Sequence, residues 1–168
     1  MRKKTSKRSK KKSSKKIKNN SNNGMITTQW GPSAWFFLHN VSFGFPIENS
    51  KITKELKQRY YAFFYNLQFV LPCKKCRDNY SKNINDKDTK LDLNVFNTRE
   101  SFKKWLFNLH NKVNKLTGKT IQFTYKELND KYEKLRAKCN SVGHVGCNVP
   151  LNGVSNLINI NDYCVNHR

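Results

Sequence analysis

The aromatic residues of this chain lie in one continuous stretch. All three tryptophans and all eleven phenylalanines fall between Trp30 and Phe123, whereas the first 24 residues contain one large aliphatic side chain besides Met1, namely Ile17. A core needs buried apolar side chains, so a chain of 168 residues can build one core and only in its middle. We predict a disordered basic tail over residues 1–24, one folded domain over residues 25–138, and a loosely ordered tail over residues 139–168.

Apolar residues in the predicted domain recur at steps of three and four, the spacing of one face of an α-helix. The predicted helices run from a first turn at Pro32 to an end before Gly44 and Pro46, from Ile52 to Val70, from Cys73 towards Ile84, from an N-cap at Thr98 to Gly118, and from Phe123 to about Ala137. The polar residues 83–97 predict a loop. Few stretches alternate as strands do, and none is flanked by hairpin dipeptides. The expected fold is all-α, a four-helix bundle with a short fifth helix.

Positive charge is concentrated at the N-terminus. The formal net charge is +22, and residues 1–18 hold 11 lysines or arginines and no acidic residue. Such a segment repels itself and has little to bury, so disorder is expected. Three roles stay open for this segment: a solvated tail without a specific role, an arm that binds nucleic acid or another polyanion, and a targeting signal. It lacks the amphipathic helix of a mitochondrial presequence. We expect no transmembrane helix and no secretory signal, because no apolar run has the required length.

Two of the five cysteines, Cys73 and Cys76, form a Cys-x-x-Cys motif after Pro72. At a helix start, unpaired backbone N–H groups and the two intervening lysines favour the thiolate form that redox chemistry needs. A zinc site would need a second ligand pair, and no other Cys-x-x-Cys or His-x-x-x-His occurs, so no metal site is predicted. A thioredoxin-like site would be surrounded by strands, whereas predicted helices surround this motif, so a thioredoxin-like fold is not favoured. A coincidental pair stays open, and we favour a redox pair on a helical scaffold.

A dithiol exchanges with disulfides but creates none without an electron acceptor, usually an organic cofactor. Two predicted helices carry residues suited to hold one. These are Trp35 and His39 on the first helix, and Trp105, His110, Asn111 and Asn114 on the fourth, with Lys112, Lys115 and Lys119 available for phosphates. Tryptophan rings stack on planar ring systems, and histidine and asparagine bond their polar edges. The alternative is that the tryptophans belong to the core and the histidines are ordinary helix residues.

Three blocks of sequence carry a family resemblance. They read Trp30-Gly31-Pro32-x-x-Trp35-x-x-Leu38-His39, then Leu71-Pro72-Cys73-x-x-Cys76, then Trp105-x-x-x-x-His110-Asn111-x-Val113-Asn114 followed by Gly118-Lys119. In this order and at about this spacing, they resemble the FAD-linked sulfhydryl oxidases of the Erv/ALR family, over roughly Trp30 to Tyr132. The Trp-Gly-Pro opening and the lysine- and asparagine-rich composition look most like the versions encoded by large DNA viruses of eukaryotes.

The resemblance implies that FAD lies in the mouth of a four-helix bundle without a Rossmann motif, and this chain has no Gly-x-Gly-x-x-Gly. By motif position, it implies that Trp35 and His39 contact the flavin, that Trp105, His110, Asn111, Val113 and Asn114 hold the adenine, ribose and isoalloxazine edges, and that Lys115 and Lys119 lie near the phosphates. It further implies that Cys76 faces the flavin and that Cys73 meets the substrate.

The implied activity is oxidation of protein thiols to disulfides, with electrons passed through FAD to oxygen to give hydrogen peroxide. Family members are dimeric, so a homodimer is expected. If the chain is viral, host cytoplasm or the virion is the expected location, with the mitochondrial intermembrane space as the alternative. Two other classes stay open: a basic helical module that binds nucleic acid and carries an incidental Cys-x-x-Cys, and a dithiol carrier that lacks its own electron acceptor.

The chain departs from many cellular members in its other cysteines. Those members carry a Cys-x16-Cys bridge that begins just after the His-Asn-x-Val-Asn block, and residues 120–125 here contain no cysteine. Cys147 and Cys164 have the same spacing but lie too far downstream to be that pair. Together with Cys139, they are candidates for a flexible relay of electrons to the Cys73–Cys76 pair, and their own pairing stays unassigned.

Overall fold

The computed structural model describes residues 24–120 and 124–137. The helices are α1 (Thr27–Phe43), α2 (Lys54–Val70), α3 (Lys74–Asn85), α4 (Arg99–Leu116) and α5 (Tyr125–Glu133), with short 3-10 turns at Asn49–Lys51, Lys87–Thr89 and Leu93–Phe96. These residues form no strand, and one isolated bridge joins Gly24 to Cys73. The predicted all-α fold is confirmed. The predicted disorder of the N-terminal tail up to residue 23 and the loose order of the C-terminal tail lie outside the described residues.

The bundle is held by an aromatic core between its helices. Helix α1 packs on α4, α2 packs on α3, and α5 packs on α1. Phe64 of α2 and Phe102 of α4 are fully buried, and their rings meet edge to face with centroids 5.1 Å apart. Edge-to-face contacts between aromatic rings add to the stabilisation that burial itself provides. None of the described helices combines the length and the apolarity needed to cross a membrane.

The segment between α3 and α4 differs from the predicted loop over residues 83–97. Helix α3 continues through Asn85, and two 3-10 turns follow it. Leu91, Val95 and Phe96 belong to the main core, and Phe96 is fully buried. The polar residues of the segment supply turn caps instead, since the side chains of Asp86 and Asp92 each accept a backbone N–H two residues ahead. Three scattered apolar residues show no periodicity, so their burial was not predictable from spacing.

Helix α1 begins five residues before Pro32 rather than with Pro32 in its first turn. Ile26 precedes the helix without a side-chain cap. The entry is fixed by tertiary contacts, because the backbone N–H of Met25 donates to the carbonyl of Pro72 over 2.7 Å and the Trp30 indole donates to the carbonyl of Met25 over 3.3 Å. The end of α1 at Gly44 agrees with the prediction.

Helix α4 has both termini that the sequence predicts. The Thr98 hydroxyl accepts the N–H of Ser101, and the Ser101 hydroxyl accepts the N–H of Thr98, each over 3.0 Å. This is a reciprocal capping box. At the other end Gly118 has φ +72°, and the N–H of Lys119 donates to the carbonyl of Asn114 over 2.9 Å. That Schellman-type closure fixes the backbone of Lys119 beside the last turn.

A second, smaller core attaches α5 to the bundle. Leu128 and Tyr132 of α5 are buried against Phe43 of α1. Next to them, the buried ammonium of Lys103 lies 3.1 Å from a carboxylate oxygen of Glu100 and 4.7 Å from the centre of the Phe43 ring. It also donates to the side-chain oxygen of Asn129 of α5. The buried charge is therefore paired and hydrogen-bonded, as a buried ammonium requires.

Candidate active site

A cavity of about 510 Å³ lies where residues of all five helices meet. This volume is in the range of small-molecule sites. Aromatic rings of Trp30, Trp35 and Phe107 form much of its wall. Among residues 24–120 and 124–137, the charged residues on its wall are Lys75 and Lys119, and none is an aspartate or glutamate. In the part of the chain that the structure describes, no three His, Cys, Asp or Glu side chains are grouped to hold a metal ion.

Both motif cysteines reach this cavity at the start of α3. Cys73 is the N-cap residue, and its Sγ accepts the backbone N–H of Cys76 over 3.2 Å. Both thiols are half-buried. The Oγ1 atom of Thr27, in the first turn of α1, lies 3.5 Å from the Sγ of Cys76. The predicted placement of the motif at a helix N-terminus is therefore confirmed, and a residue outside the motif contacts it.

The two thiols have opposite pKa shifts. Burial by itself would raise the pKa of Cys73, but hydrogen bonds from the side chain and backbone of Cys76, from the Thr27 hydroxyl and from the Lys75 backbone outweigh burial and lower that pKa. Burial raises the pKa of Cys76, and its hydrogen bond to Cys73 raises it further. When the pair is reduced, Cys73 is thus the better thiolate, which makes it the better leaving group in thiol–disulfide exchange.

A histidine pair joins α1 to α4 beside the cavity, and His110 lines the wall. The Nε2 atom of His39 is 3.1 Å from the Nδ1 atom of His110, and the His110 ring stacks on Trp35 with centroids 4.0 Å apart and planes at 8°. His39 is fully buried. Burial, followed by the proximity of His110, holds the pKa of His39 well below its ordinary value. His39 is therefore neutral at physiological pH and positions His110 as a hydrogen-bond partner.

The structure brings most of the predicted site residues together. Those on the cavity wall are Trp35, Cys73, Cys76, His110, Asn111, Val113, Asn114 and Lys119. Three predicted residues, His39, Trp105 and Lys115, are not on the wall. His39 contacts two residues that are, because its Nε2 atom is 3.1 Å from His110 and its ring centroid is 6.3 Å from that of Trp35.

Trp105 packs in the core instead of facing the cavity. Its ring meets that of Phe64 edge-on at 5.4 Å, and its indole N–H donates to the carbonyl of Thr89 over 3.1 Å. Residues 105 and 110 are five positions apart, which turns them about 140° from each other around the helix axis. When His110 faces the cavity, Trp105 therefore faces the core, and its contact with a cofactor stays a prediction.

The lysines after His110 also divide between different surroundings. Lys119 is on the wall, because the closure at Gly118 turns the chain back towards the cavity. Lys112, which the sequence analysis considered for phosphates, instead forms an ion pair with Asp86 at the end of α3.

The wall residues without a sequence motif come from several elements. Thr27 and Thr28 line the cavity, as do Asn79 and Tyr80 of α3 and Leu128 of α5. The position of Thr27 and Thr28 depends on the backbone contact between Met25 and Pro72. The place of Leu128 on the wall depends on how α5 packs on the bundle, which helical spacing alone does not specify.

Two viral proteins are similar to this chain in sequence. The "Probable FAD-linked sulfhydryl oxidase R368" of Acanthamoeba polyphaga mimivirus is 43% identical over 110 residues, which are 66% of this chain and 73% of that protein. The "FAD-linked sulfhydryl oxidase" of African swine fever virus (isolate Tick/Malawi/Lil 20-1/1983) is 34% identical over 107 residues, covering 62% of this chain and 81% of that protein.

The fold also has a solved counterpart. The yeast Erv1 core superposes with a TM-score of 0.54 at 23% identity and covers 73% of this chain and 92% of that one, a likeness of fold. Residues 32–134 match the Erv1 / Alr family model, a span that contains both motif cysteines and the His110 block. Since this match covers more than half of the sequence, the resemblance is confirmed, and the chain belongs to the Erv1 / Alr family.

Proposed function

We propose that this chain is an FAD-linked sulfhydryl oxidase that converts pairs of protein thiols to disulfides at Cys73 and Cys76. The observation that carries the proposal is that the Cys76 thiol and the stacked Trp35–His110 pair line one cavity. The names of the viral relatives support the same activity. The cavity therefore combines a dithiol with a binding place for an electron acceptor. A dithiol carrier or a nucleic-acid-binding module does not need such a binding place.

The residues of the cavity fit FAD in shape and charge. The flat Trp35–His110 stack suits a planar ring system. The side-chain amides of Asn111 and Asn114 offer donors and acceptors for polar ring edges. Lys119 suits the diphosphate, since the described residues of the wall include no aspartate or glutamate. We assign these contacts to the residues named, with Val113 packing between them and His39 acting through His110. Trp105 and Lys115 stay predictions without a contact on the wall.

The cysteine pair performs the exchange with the substrate. A substrate thiolate attacks the Sγ of Cys73 in the Cys73–Cys76 disulfide, so the Sγ–Sγ bond breaks, a mixed disulfide forms and Cys76 leaves as a thiolate. A second substrate thiolate attacks the substrate sulfur of that mixed disulfide and displaces Cys73. The substrate departs as a disulfide, and its two electrons remain on the reduced cysteine pair. FAD held by Trp35, His110 and Lys119 would supply the two-electron acceptor that the reduced pair needs to return to the disulfide, with oxygen as the final acceptor and hydrogen peroxide as the product.

The purified protein's absorbance spectrum and oxygen consumption test this function. We expect flavin absorbance and oxygen uptake with dithiothreitol. A colourless protein that binds DNA would favour the nucleic-acid module. A protein that exchanges disulfides without consuming oxygen would favour the dithiol carrier.

Exposed aromatic side chains on α1 and α2 support a homodimer. Phe37 is 56% exposed, Phe63 is 40% exposed, and their rings contact each other with centroids 6.4 Å apart. Val70, two helical turns beyond Phe63, is 68% exposed. Contiguous exposed apolar surface of this kind is typical of a contact with another protein, and we assign it to a second copy. Phe37→Lys should yield a monomer in sedimentation equilibrium, whereas Phe69→Lys, at an exposed aromatic in contact with Tyr65, should not.

The basic tail and the cellular location complete the proposal. We infer that residues 1–18 contact polyanions, because their 11 positive charges meet no acidic residue in that segment. The viral relatives favour host cytoplasm or the virion, while a relative named mitochondrial in yeast, 31% identical over 88 residues, keeps the intermembrane space as the alternative. Fractionation of cells that express the full chain separates these locations.

A further inference from the structure

The residues just before the family match touch the redox pair. The match begins at residue 32, yet Gly24 forms a backbone bridge with Cys73, and the N–H of Met25 donates to the carbonyl of Pro72. Gly24 has φ +80°, and a Cβ at this position would lie 1.9 Å from the Pro72 oxygen. Only glycine permits that approach. Residues 24–27, here named the bracket, are therefore fitted closely to the start of α3.

The bracket places one polar side chain against the redox pair. The Thr27 Oγ1 atom lies 3.5 Å from the Sγ of Cys76. The indole N–H of Trp30 holds the carbonyl of Met25, so both the chain before Thr27 and the helix after it are tied down. Threonine in a helix is restricted mainly to two rotamers. The rotamer that Thr27 adopts directs its hydroxyl to Cys76.

We propose that Thr27 is a positioning residue for the redox pair, whose hydroxyl donates a hydrogen bond to the sulfur of Cys76 and holds that sulfur at the cavity wall beside Cys73. This rests on the proposed function, in which the Cys76 sulfur leaves as an anion when the disulfide is opened. Hydrogen bonds to anions are about twice as strong as those to neutral acceptors, so the contribution of Thr27 grows at that step. No electron or proton is transferred to the hydroxyl.

The surroundings of Cys76 agree with this role. The Thr27 hydroxyl acts to lower the pKa of Cys76 against burial and against Cys73, both of which raise it. Other titratable side chains share the cavity wall and face the same space. These are Cys73, Lys75, Tyr80, His110 and Lys119. Two further charges near the motif have partners elsewhere, since Lys74 pairs with Asp78 and Arg77 donates to the carbonyl of Leu71.

Alkylation of Cys76 in the reduced protein tests the proposal without requiring turnover. In a Cys73→Ser background, the rate of reaction with iodoacetamide is measured against pH, and mass spectrometry of the peptides assigns it to Cys76. Thr27→Val keeps the shape and removes the hydroxyl. Loss of a hydrogen bond to a charged group should move the alkylation midpoint up by about one pH unit. Thr27→Ser should keep the wild-type midpoint.

Thr28→Val is the matched control, because Thr28 is the neighbouring wall residue and should leave the midpoint unchanged. An unchanged midpoint in Thr27→Val, or an equal shift in Thr27→Val and Thr27→Ser, would overturn the proposal. If Thr27→Val does not fold, as judged by thermal melting, Thr27→Ala takes its place with the same expected shift. Failure of the proposed function would instead appear as absence of oxygen uptake by the wild-type protein, which the alkylation assay does not use.

Discussion

Cys73 and Cys76 differ because one caps a helix and the other lies inside it. Cys73 receives the backbone N–H of Cys76, and such donors stabilise a thiolate. Cys76 points to the cavity and has a raised pKa, mainly through burial. The more acidic thiol is therefore that of Cys73 at the helix N-cap, and both thiols line the cavity. The roles that the resemblance implies for Cys73 and Cys76 stay predictions.

Replacing either cysteine should abolish turnover and spare the fold. Cys73→Ser and Cys76→Ser each break the disulfide on which exchange depends, so oxygen uptake with dithiothreitol should fall to background. The melting temperature should change little, because both side chains are half-buried. Lys51→Ala is the control, since its exposed ion pair with Glu48 lies outside the motif and contributes little. Turnover at the wild-type rate in either serine variant would contradict the assignment.

His39 should make the protein sensitive to mild acid. Its pKa is well below the ordinary value because it is buried beside His110, so the unfolded state binds the proton more readily than the native state does. The contribution of neutral His39 to the free energy of unfolding is fully present above the pKa of about 6.5 that histidine has in the unfolded state. It declines as the pH falls below that value. Urea denaturation should show a decline between about pH 6.5 and 5, above the range in which carboxylates titrate.

His39→Gln should flatten that decline, because glutamine does not titrate. The variant is also expected to be less stable near neutral pH, since it alters a fully buried contact with His110. The informative quantity is therefore the slope against pH. A slope as steep as in the wild type would show that another group causes the acid sensitivity.

At the scale of elements, α4 carries most of the predicted cofactor residues, and its end decides where they lie. His110 and Asn114 are four positions apart and share a face. The helix closes through Gly118, whose N–H donates to the carbonyl of Lys115, while Lys119 donates to Asn114. The positive φ of Gly118 is what brings Lys119 back to the wall.

Gly118→Ala should therefore cost stability and weaken cofactor retention together. A Cβ at this position meets no atom within 4 Å, so the cost comes from the left-handed backbone alone and should be about 1–2 kcal/mol. Gly118→Asn should cost less, because asparagine tolerates this conformation. Denaturant unfolding and flavin content per protein measure the two effects. Equal stability of the Gly118→Ala variant and the wild type would show that the left-handed backbone at residue 118 is not required.

At the scale of the whole molecule, charge and fold are separable. Residues 1–18 supply 11 of the positive charges that give the formal +22. The bundle and its cavity involve residues from Gly24 onward within the described ranges. The predicted boundary between the basic tail and the folded domain lies after Gly24. The contact of Gly24 with Cys73 instead places this residue with the redox site. The tail cysteines Cys139, Cys147 and Cys164 lie outside the described residues.

Deleting residues 1–22 should leave the melting temperature, flavin content and dithiothreitol oxidation unchanged. It should weaken binding to DNA or heparin, and the difference from the full chain should shrink as salt rises. Deleting residues 1–27 is the contrasting variant, because it removes the bracket and the Thr27 hydroxyl. That variant should oxidise dithiothreitol more slowly. Equal activity of the two deletions would show that the bracket is dispensable.

Local patterns were sufficient to predict the helices and the chemistry of the site. Spacing of three and four residues predicts amphipathic helices because a helix repeats every 3.6 residues. The N-cap at Thr98 and the end near Gly118 were predictable because the signals are side-chain capping and left-handed backbone, both properties of a few adjacent residues. The motifs predicted eight of the residues found on the cavity wall, namely the thiol pair and six others.

Only the tertiary structure determines which face of each helix lies on the cavity and which other residues complete the cavity wall. Trp105 faces the core because α4 buries that face against Phe64, and a motif does not specify rotation about a helix axis. Phe96 is buried because its 3-10 turn packs on α2 and α4. Thr27 reaches Cys76 across 49 positions of sequence, through contacts between Met25 and Pro72 that depend on how two helix ends meet. Local spacing carries no information about such distant contacts.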